Sequence, residues 1–145
     1  MKEYLTHSYD ETLALAKQLS KELKEGCVIG FLGDLGAGKT AFTNGFVDGL
    51  GIEAEVSSPT FAICNEYKGN GKKVCHYDMY RIDSWDDLLT SGYYDSLDSG
   101  AYVLCEWGEN IFGALPEDAV IIKIEKLGEN DRWFTLMTKA EAEAQ

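Results

Sequence analysis

Eight consecutive residues, Gly33-Asp34-Leu35-Gly36-Ala37-Gly38-Lys39-Thr40, constrain this chain more than any other feature. They match G-x-x-x-x-G-K-[ST] and lie between a short apolar run, residues 27–32, and a stretch with helical spacing at Phe42, Phe46, Val47 and Leu50. A buried strand that turns through glycines into a helix start presents successive backbone N–H groups to an anion, so the pattern predicts a phosphate cradle. Gly33, Gly36 and Gly38 let the backbone curl, with Leu35 and Ala37 between them. Lys39 is expected to reach the β- and γ-phosphates of a nucleotide and the Thr40 hydroxyl to ligate magnesium. Asp34 is expected to orient backbone or metal-bound water rather than to touch phosphate.

At 145 residues the chain has the size of one domain. The expectation is a single domain over residues 1–139, with a frayed tail at 140–145. No apolar run approaches a membrane span, and the polar start Met1-Lys2-Glu3-Tyr4 lacks an apolar signal core, which predicts a cytoplasmic protein. Cys27, Cys64, Cys75 and Cys105 stand singly in apolar runs, with no C-x-x-C pair, and read as buried, reduced thiols. The formal charge of -12 and the presence of only Arg81 and Arg132 among arginines argue against autonomous nucleic-acid binding.

Around the loop the predicted fold is α/β and P-loop NTPase-like: a mixed sheet with a parallel core plus antiparallel hairpins, flanked by helices. Ser8 and Glu11 have capping-box spacing ahead of Leu15, Leu19 and Leu23, which predicts an amphipathic helix ending at Gly26. Residues 61–67 and 73–81 flank Gly69-Asn70-Gly71 and predict a hairpin. Ser84 is expected to cap a short helix through Leu89, and residues 90–100 carry no assignable pattern. Residues 101–105 predict a second buried strand, and residues 119–124 with 133–137 a closing hairpin about Gly128.

A phosphate loop needs a second carboxylate near the end of a buried strand to complete its metal site. Glu106, after Tyr102-Val103-Leu104-Cys105, and Asp78, within His76-Tyr77-Asp78-Met79-Tyr80-Arg81, both qualify, and either reads equally as a surface ion-pair partner. His7 and His76 have no partners at metal-ligand spacing and read as structural or solvated. Trp107 and Phe112 read as core residues or as a partner-facing aromatic pair. The chain lacks the N-K-x-D element of guanine readers, which favours ATP, and two arginines leave little for a kinase's second set of phosphates. The Ser57-Ser58-Pro59-Thr60 loop is placed to sense a γ-phosphate.

Taken in order, the phosphate loop, Ser58-Pro59-Thr60-Phe61, His76-Tyr77-Asp78-Met79-Tyr80-Arg81 and Glu106-Trp107 resemble the bacterial TsaE (YjeE) family over about residues 5–125. The resemblance implies an ATPase component of the machinery that makes N6-threonylcarbamoyladenosine in tRNA, working on TsaD and TsaB, which would hold the RNA. It also implies that Lys39 and the loop hold ATP, that Thr40 and Glu106 hold magnesium, and that Asp78 assists the metal or the attacking water. Thr60 would be a switch residue, and Tyr9 and Thr12 would lie against the adenine. Ala41, Cys64 and Met79 depart from residues common in the family without removing a ligand. A small-molecule kinase and a non-hydrolysing nucleotide-gated binding module remain the alternative readings.

Overall fold

The apolar run before the glycine octet forms the central strand of one mixed sheet. In the computed structural model, which describes residues 1–33, 38–53 and 63–144, this strand is β2 (Val28–Gly33). It follows β1 (Lys2–Thr6) and α1 (Tyr9–Glu22) and leads to α2 (Lys39–Gly49). The hairpin β3 (Cys64–Gly69) and β4 (Lys72–Asp78) comes next, then α3 (Trp85–Leu89), α4 (Tyr93–Asp98) and β5 (Tyr102–Glu106). A 3-10 segment (Gly108–Ala114), the hairpin β6 (Val120–Lys126) and β7 (Arg132–Thr138), and α5 (Lys139–Glu143) complete the order.

Among the described residues seven strands pair as β1-β7-β6-β2-β5-β4-β3. The inner four, β6, β2, β5 and β4, are parallel, while β1–β7, β6–β7 and β3–β4 are antiparallel. The expected parallel core with added hairpins is therefore the observed architecture. Parallel strands need both faces covered, and β5 is buried at all five positions, YVLCE. Alternation divides the side chains. Ile29, Phe31, Val74 and Leu104 pack with Leu15, Leu19, Phe42 and Phe46 of α1 and α2. Val28, Cys75, Tyr77, Val103 and Cys105 pack on the opposite face with Leu88, Tyr93 and Ile111.

Local chemistry sets the helix starts. The Ser8 hydroxyl accepts from the Glu11 N–H at 3.1 Å, and the Glu11 carboxylate accepts from the His7 N–H at 3.1 Å, closing the first turn of α1. The Ser84 hydroxyl caps α3 by accepting from the Asp87 N–H at 3.1 Å. From residue 140 the expected fraying gives way to α5, whose Thr138 and Glu141 form a reciprocal capping box.

Three further differences have plain causes. The strand expected over residues 73–81 ends at Asp78, where the chain turns and the Met79 N–H donates to the Glu106 carbonyl at 3.0 Å. Residues 2–6, given no element in the sequence, form β1, an edge strand with only Thr6 buried and hence little apolar alternation to mark it. α4 carries Tyr93 and Ser96 inward on a helix too short to develop a period. No helix among the described residues is long and apolar enough to cross a membrane.

Candidate functional site

The parallel strands point their C-terminal ends to one edge, where ligands of open α/β sheets bind. Gly33 ends β2 there, with φ +114, and a Cβ at this position would collide with the Ile124 carbonyl of neighbouring β6. Glycine is therefore required both for the dihedral and for the close approach. Gly38, in left-handed geometry, then opens α2.

The start of α2 differs from the other long helix. Ser8 caps α1, and Asp10 and Glu11 lie in its first turn; α2 has no side-chain cap and no acidic residue in its first turn. Among the described residues, therefore, no side chain caps its first N–H groups or offsets the positive end of its dipole, the arrangement that suits an external anion. Lys39 is 2% exposed, and its ammonium donates to the Gly33 carbonyl at 3.2 Å, so its charge is held against the end of β2. Thr40, the next residue, is exposed.

Register brings the two candidate carboxylates side by side: Asp78 of β4 is the direct partner of Glu106 of β5. Both lie on the face that carries α2, since they continue the alternations Val74-His76-Asp78 and Tyr102-Leu104-Glu106. They differ in setting. β5 is paired directly with β2, and Glu106 is 5% exposed; β4 lies one strand farther out, and Asp78 is half-buried and accepts from the Tyr80 N–H at 3.0 Å. Hydroxyl and carboxylate oxygens are the donors magnesium prefers, so the side chains of Thr40, Glu106 and Asp78, the last paired with Glu106, are of the type that ion takes.

Two neighbours of Glu106 are more than the sequence reading allowed. His76, read there as structural or solvated, is 1% exposed, and its Nε2 lies 2.9 Å from Glu106 Oε2. The approach is too oblique for a good hydrogen bond, and His76 Nδ1 has no partner among the described residues. Trp107 has φ +59, an unusual conformation for an aromatic residue, and its buried Nε1 has no partner among the described residues. Its ring lies 4.9 Å from that of Tyr80 and 5.1 Å from the Lys39 ammonium, so the half-buried indole covers the lysine. Phe112 is separate from it and lies 5.7 Å from the Lys139 ammonium.

Beside Gly38 a cleft of about 120 Å³ is lined by Ser8, Tyr9, Thr12 and Ala41, by Glu129 and Asn130 from the β6–β7 turn, and by Arg132 at the start of β7. Tyr9 and Thr12 are therefore brought to the phosphate-loop helix. The Thr12 hydroxyl is buried against that of Thr6 at 2.8 Å, whereas the exposed Tyr9 hydroxyl accepts from the Asn44 amide at 3.0 Å. Sequence reasoning missed the residues of the turn, which are some 120 positions away in the chain and carry no motif. Of the predicted site residues, Asp34, Leu35, Gly36, Ala37 and Thr60 lie outside the described residues. All four cysteines are free thiols; three are buried and Cys64 is half-buried, and burial pushes the Cys27 thiol up to about 11.

A central parallel strand ending at Gly33 and an uncapped helix opened by Gly38, with a buried lysine at the helix start and a carboxylate ending the adjacent strand, define a P-loop-like α/β domain. The crystal structure of YdiB from Bacillus subtilis has this fold: it superimposes with a TM-score of 0.75 at 31% identity, over 97% of this chain and 87% of that one. The family model described as "Threonylcarbamoyl adenosine biosynthesis protein TsaE" matches residues 6–134, and the chain belongs to the TsaE family. It is 39% identical to the tRNA threonylcarbamoyladenosine biosynthesis protein TsaE of Bacillus subtilis, over 92% of this chain and 83% of that protein. With the protein of that name from Treponema pallidum it shares 33% identity over 91% and 97% of the two chains.

Proposed function

We propose that this chain binds ATP with magnesium and hydrolyses it as a component of the tRNA N6-threonylcarbamoyladenosine machinery, acting on a complex of TsaD and TsaB. The observation that carries the reading is the uncapped start of α2, with Lys39 buried beneath it and Glu106 at the end of the adjacent strand. The free N–H groups of that helix start bind the phosphates, and Lys39 exchanges its bond to the Gly33 carbonyl for one to the γ-phosphate. Thr40 and Glu106 hold the metal. Bound magnesium neutralises charge on the β- and γ-phosphates.

Phosphoryl transfer depends mainly on positioning and electrostatics, so the residues act by holding charges in place. Asp78, beside Glu106 but nearer solvent, orients the attacking water. Tyr9 and Thr12 border the adenine in the cleft next to Gly38. Asp34 and its neighbours in the loop cradle the phosphates, and Thr60 acts as the switch that senses the γ-phosphate. With a formal charge of -12, the chain leaves tRNA to its partners and supplies a nucleotide-driven step in the cytoplasm.

The test is phosphate release from ATP by the protein alone and with TsaB and TsaD added, with Lys39→Ala as the control in both. Stimulation by the partners that is lost in the variant is the expected result. Tight ATP binding without release in either condition would overturn the hydrolytic reading and leave a nucleotide-gated module; phosphate on an acceptor molecule would indicate a kinase.

A further inference from the structure

We propose that His76 is a positioning residue for the metal site: it holds one oxygen of Glu106 so that the other is presented to magnesium. The inference rests on the reading of Glu106 as a metal ligand. Three observations carry it. His76 and Glu106 are both nearly inaccessible, at 1% and 6% side-chain exposure, and Nε2 lies 2.9 Å from Oε2. Neither ring nitrogen of His76 makes a well-formed hydrogen bond among the described residues, although polar atoms so deeply buried are nearly always paired. The register sets His76 opposite Leu104, two positions behind Asp78 and Glu106 and so on their face of the sheet, and the ring reaches Glu106 diagonally across the strand boundary.

A buried imidazole in an apolar sheet layer has little packing reason to replace an aliphatic side chain, because its nitrogens lose water without gaining full partners. Metal-binding carboxylates are commonly fixed by such outer partners, whose loss costs about ten- to a hundredfold in metal affinity. Contacts of this kind are often oblique before the ligand is bound and align when it arrives. With Oε2 restrained by Nε2, Glu106 keeps a single orientation at the strand end, and Oε1 is the oxygen left for the metal.

The experiment measures ATP affinity as a function of magnesium concentration, and separately in EDTA, for His76→Leu, His76→Asn, His76→Gln and Glu106→Gln. His76→Leu and His76→Asn, which cannot reach Glu106, are expected to raise the half-saturating magnesium concentration about tenfold while leaving affinity in EDTA unchanged. His76→Gln, whose amide nitrogen approximates Nε2, is expected to stay within about threefold of the parent. In the Glu106→Gln background the His76 substitutions should add little, because the two act on one ligand. A magnesium shift for Glu106→Gln but none for His76→Asn, or equal loss in EDTA, would overturn the role of His76 alone. No shift for Glu106→Gln would overturn the metal-ligand reading and this inference with it. In the unmutated protein, ring 1H–15N correlations should show the proton on Nε2; an Nδ1–H tautomer with bare Nε2 would also overturn it.

Discussion

The Trp107 indole lies over the Lys39 ammonium, 5.1 Å from ring centroid to nitrogen, while that ammonium donates to the Gly33 carbonyl at 3.2 Å. Among the described residues the ammonium is thus held by one carbonyl and one aromatic face, the latter from Trp107, whose own backbone has φ +59. Strain of this kind, about 1–3 kcal/mol, persists where the surrounding structure over-determines it and clusters at functional sites. Trp107 is so placed because Glu106 ends β5 and the 3-10 segment begins at Gly108, leaving it to make the turn.

A nucleotide that draws Lys39 toward its phosphates changes the field on that indole. In a Trp85→Phe, Trp133→Phe background, Trp107 is the one tryptophan left, since the chain has three. Its emission should then shift on addition of ATP and magnesium, and the shift should vanish in Lys39→Ala. Unchanged emission at saturating, independently verified ATP would show that Lys39 and Trp107 stay paired in the complex.

Glu106 and Asp78 are predicted to be unequal. Glu106 is buried on the strand next to β2, and Asp78 is half-buried one strand away. Glu106→Gln should lower phosphate release by about a hundredfold or more, in the range seen when one preorganised electrostatic contact is removed. Asp78→Asn should lower it less, with the Tyr80 N–H still able to donate to the amide oxygen. Single-turnover rates under partner-stimulated conditions would rank the two, and the reverse order would reassign the metal ligand.

Helix α2 lies close against α1 because Gly45 has no side chain: a Cβ there would lie 2.5 Å from the Leu13 carbonyl and 2.9 Å from the Ala16 methyl. Gly45→Ala brings a helix-propensity gain of about 1 kcal/mol, but the clash with backbone forces the helices apart at a cost of about 1–3 kcal/mol. Net destabilisation in urea unfolding is therefore expected. Because α1 carries Tyr9 and Thr12 and α2 carries Lys39 and Thr40, weaker ATP binding should accompany it. A more stable variant would show that the helices slide to absorb the methyl.

His7 and Asp131 join the start of α1 to the β6–β7 turn at 3.0 Å beside the Gly38 cleft, and the hydrogen bond and charge of Asp131 raise the His7 pKa above 6.5. A raised folded-state pKa means that the protonated form favours the folded state. This contribution is fully present below the unfolded value of about 6.5 and is lost as the pH rises through the higher folded value. The pair is exposed, so the effect on stability is small and salt-sensitive. An NMR titration should place His7 above 6.5 in the parent protein and nearer 6.5 in Asp131→Asn; identical midpoints would remove Asp131 as the cause.

Much of this molecule is legible in the chain because its signals are local. Ser8 with Glu11 and Ser84 with Asp87 close helix turns within four residues; Gly69-Asn70-Gly71 sits at the β3–β4 turn; and the glycine octet declares its strand and helix by pattern. These depend on dihedral preference, capping and periodicity, which act over a few positions. β1 and α4 escaped notice because an edge strand and a one-turn helix impose too little alternation to stand out.

The sequence by itself determined the phosphate loop, the class of fold and the two candidate carboxylates, since each is written in adjacent residues. Only the tertiary structure decided how they rank and what surrounds them. The insertion of β5 between β2 and β4 places Glu106, rather than Asp78, on the strand next to the loop. The β4–β5 register brings His76 to Glu106, the turn after β5 lays Trp107 over Lys39, and the start of β7 brings Arg132 to Gly38. Strand order and register are settled by burial summed over a whole sheet, a quantity that no short stretch of chain contains.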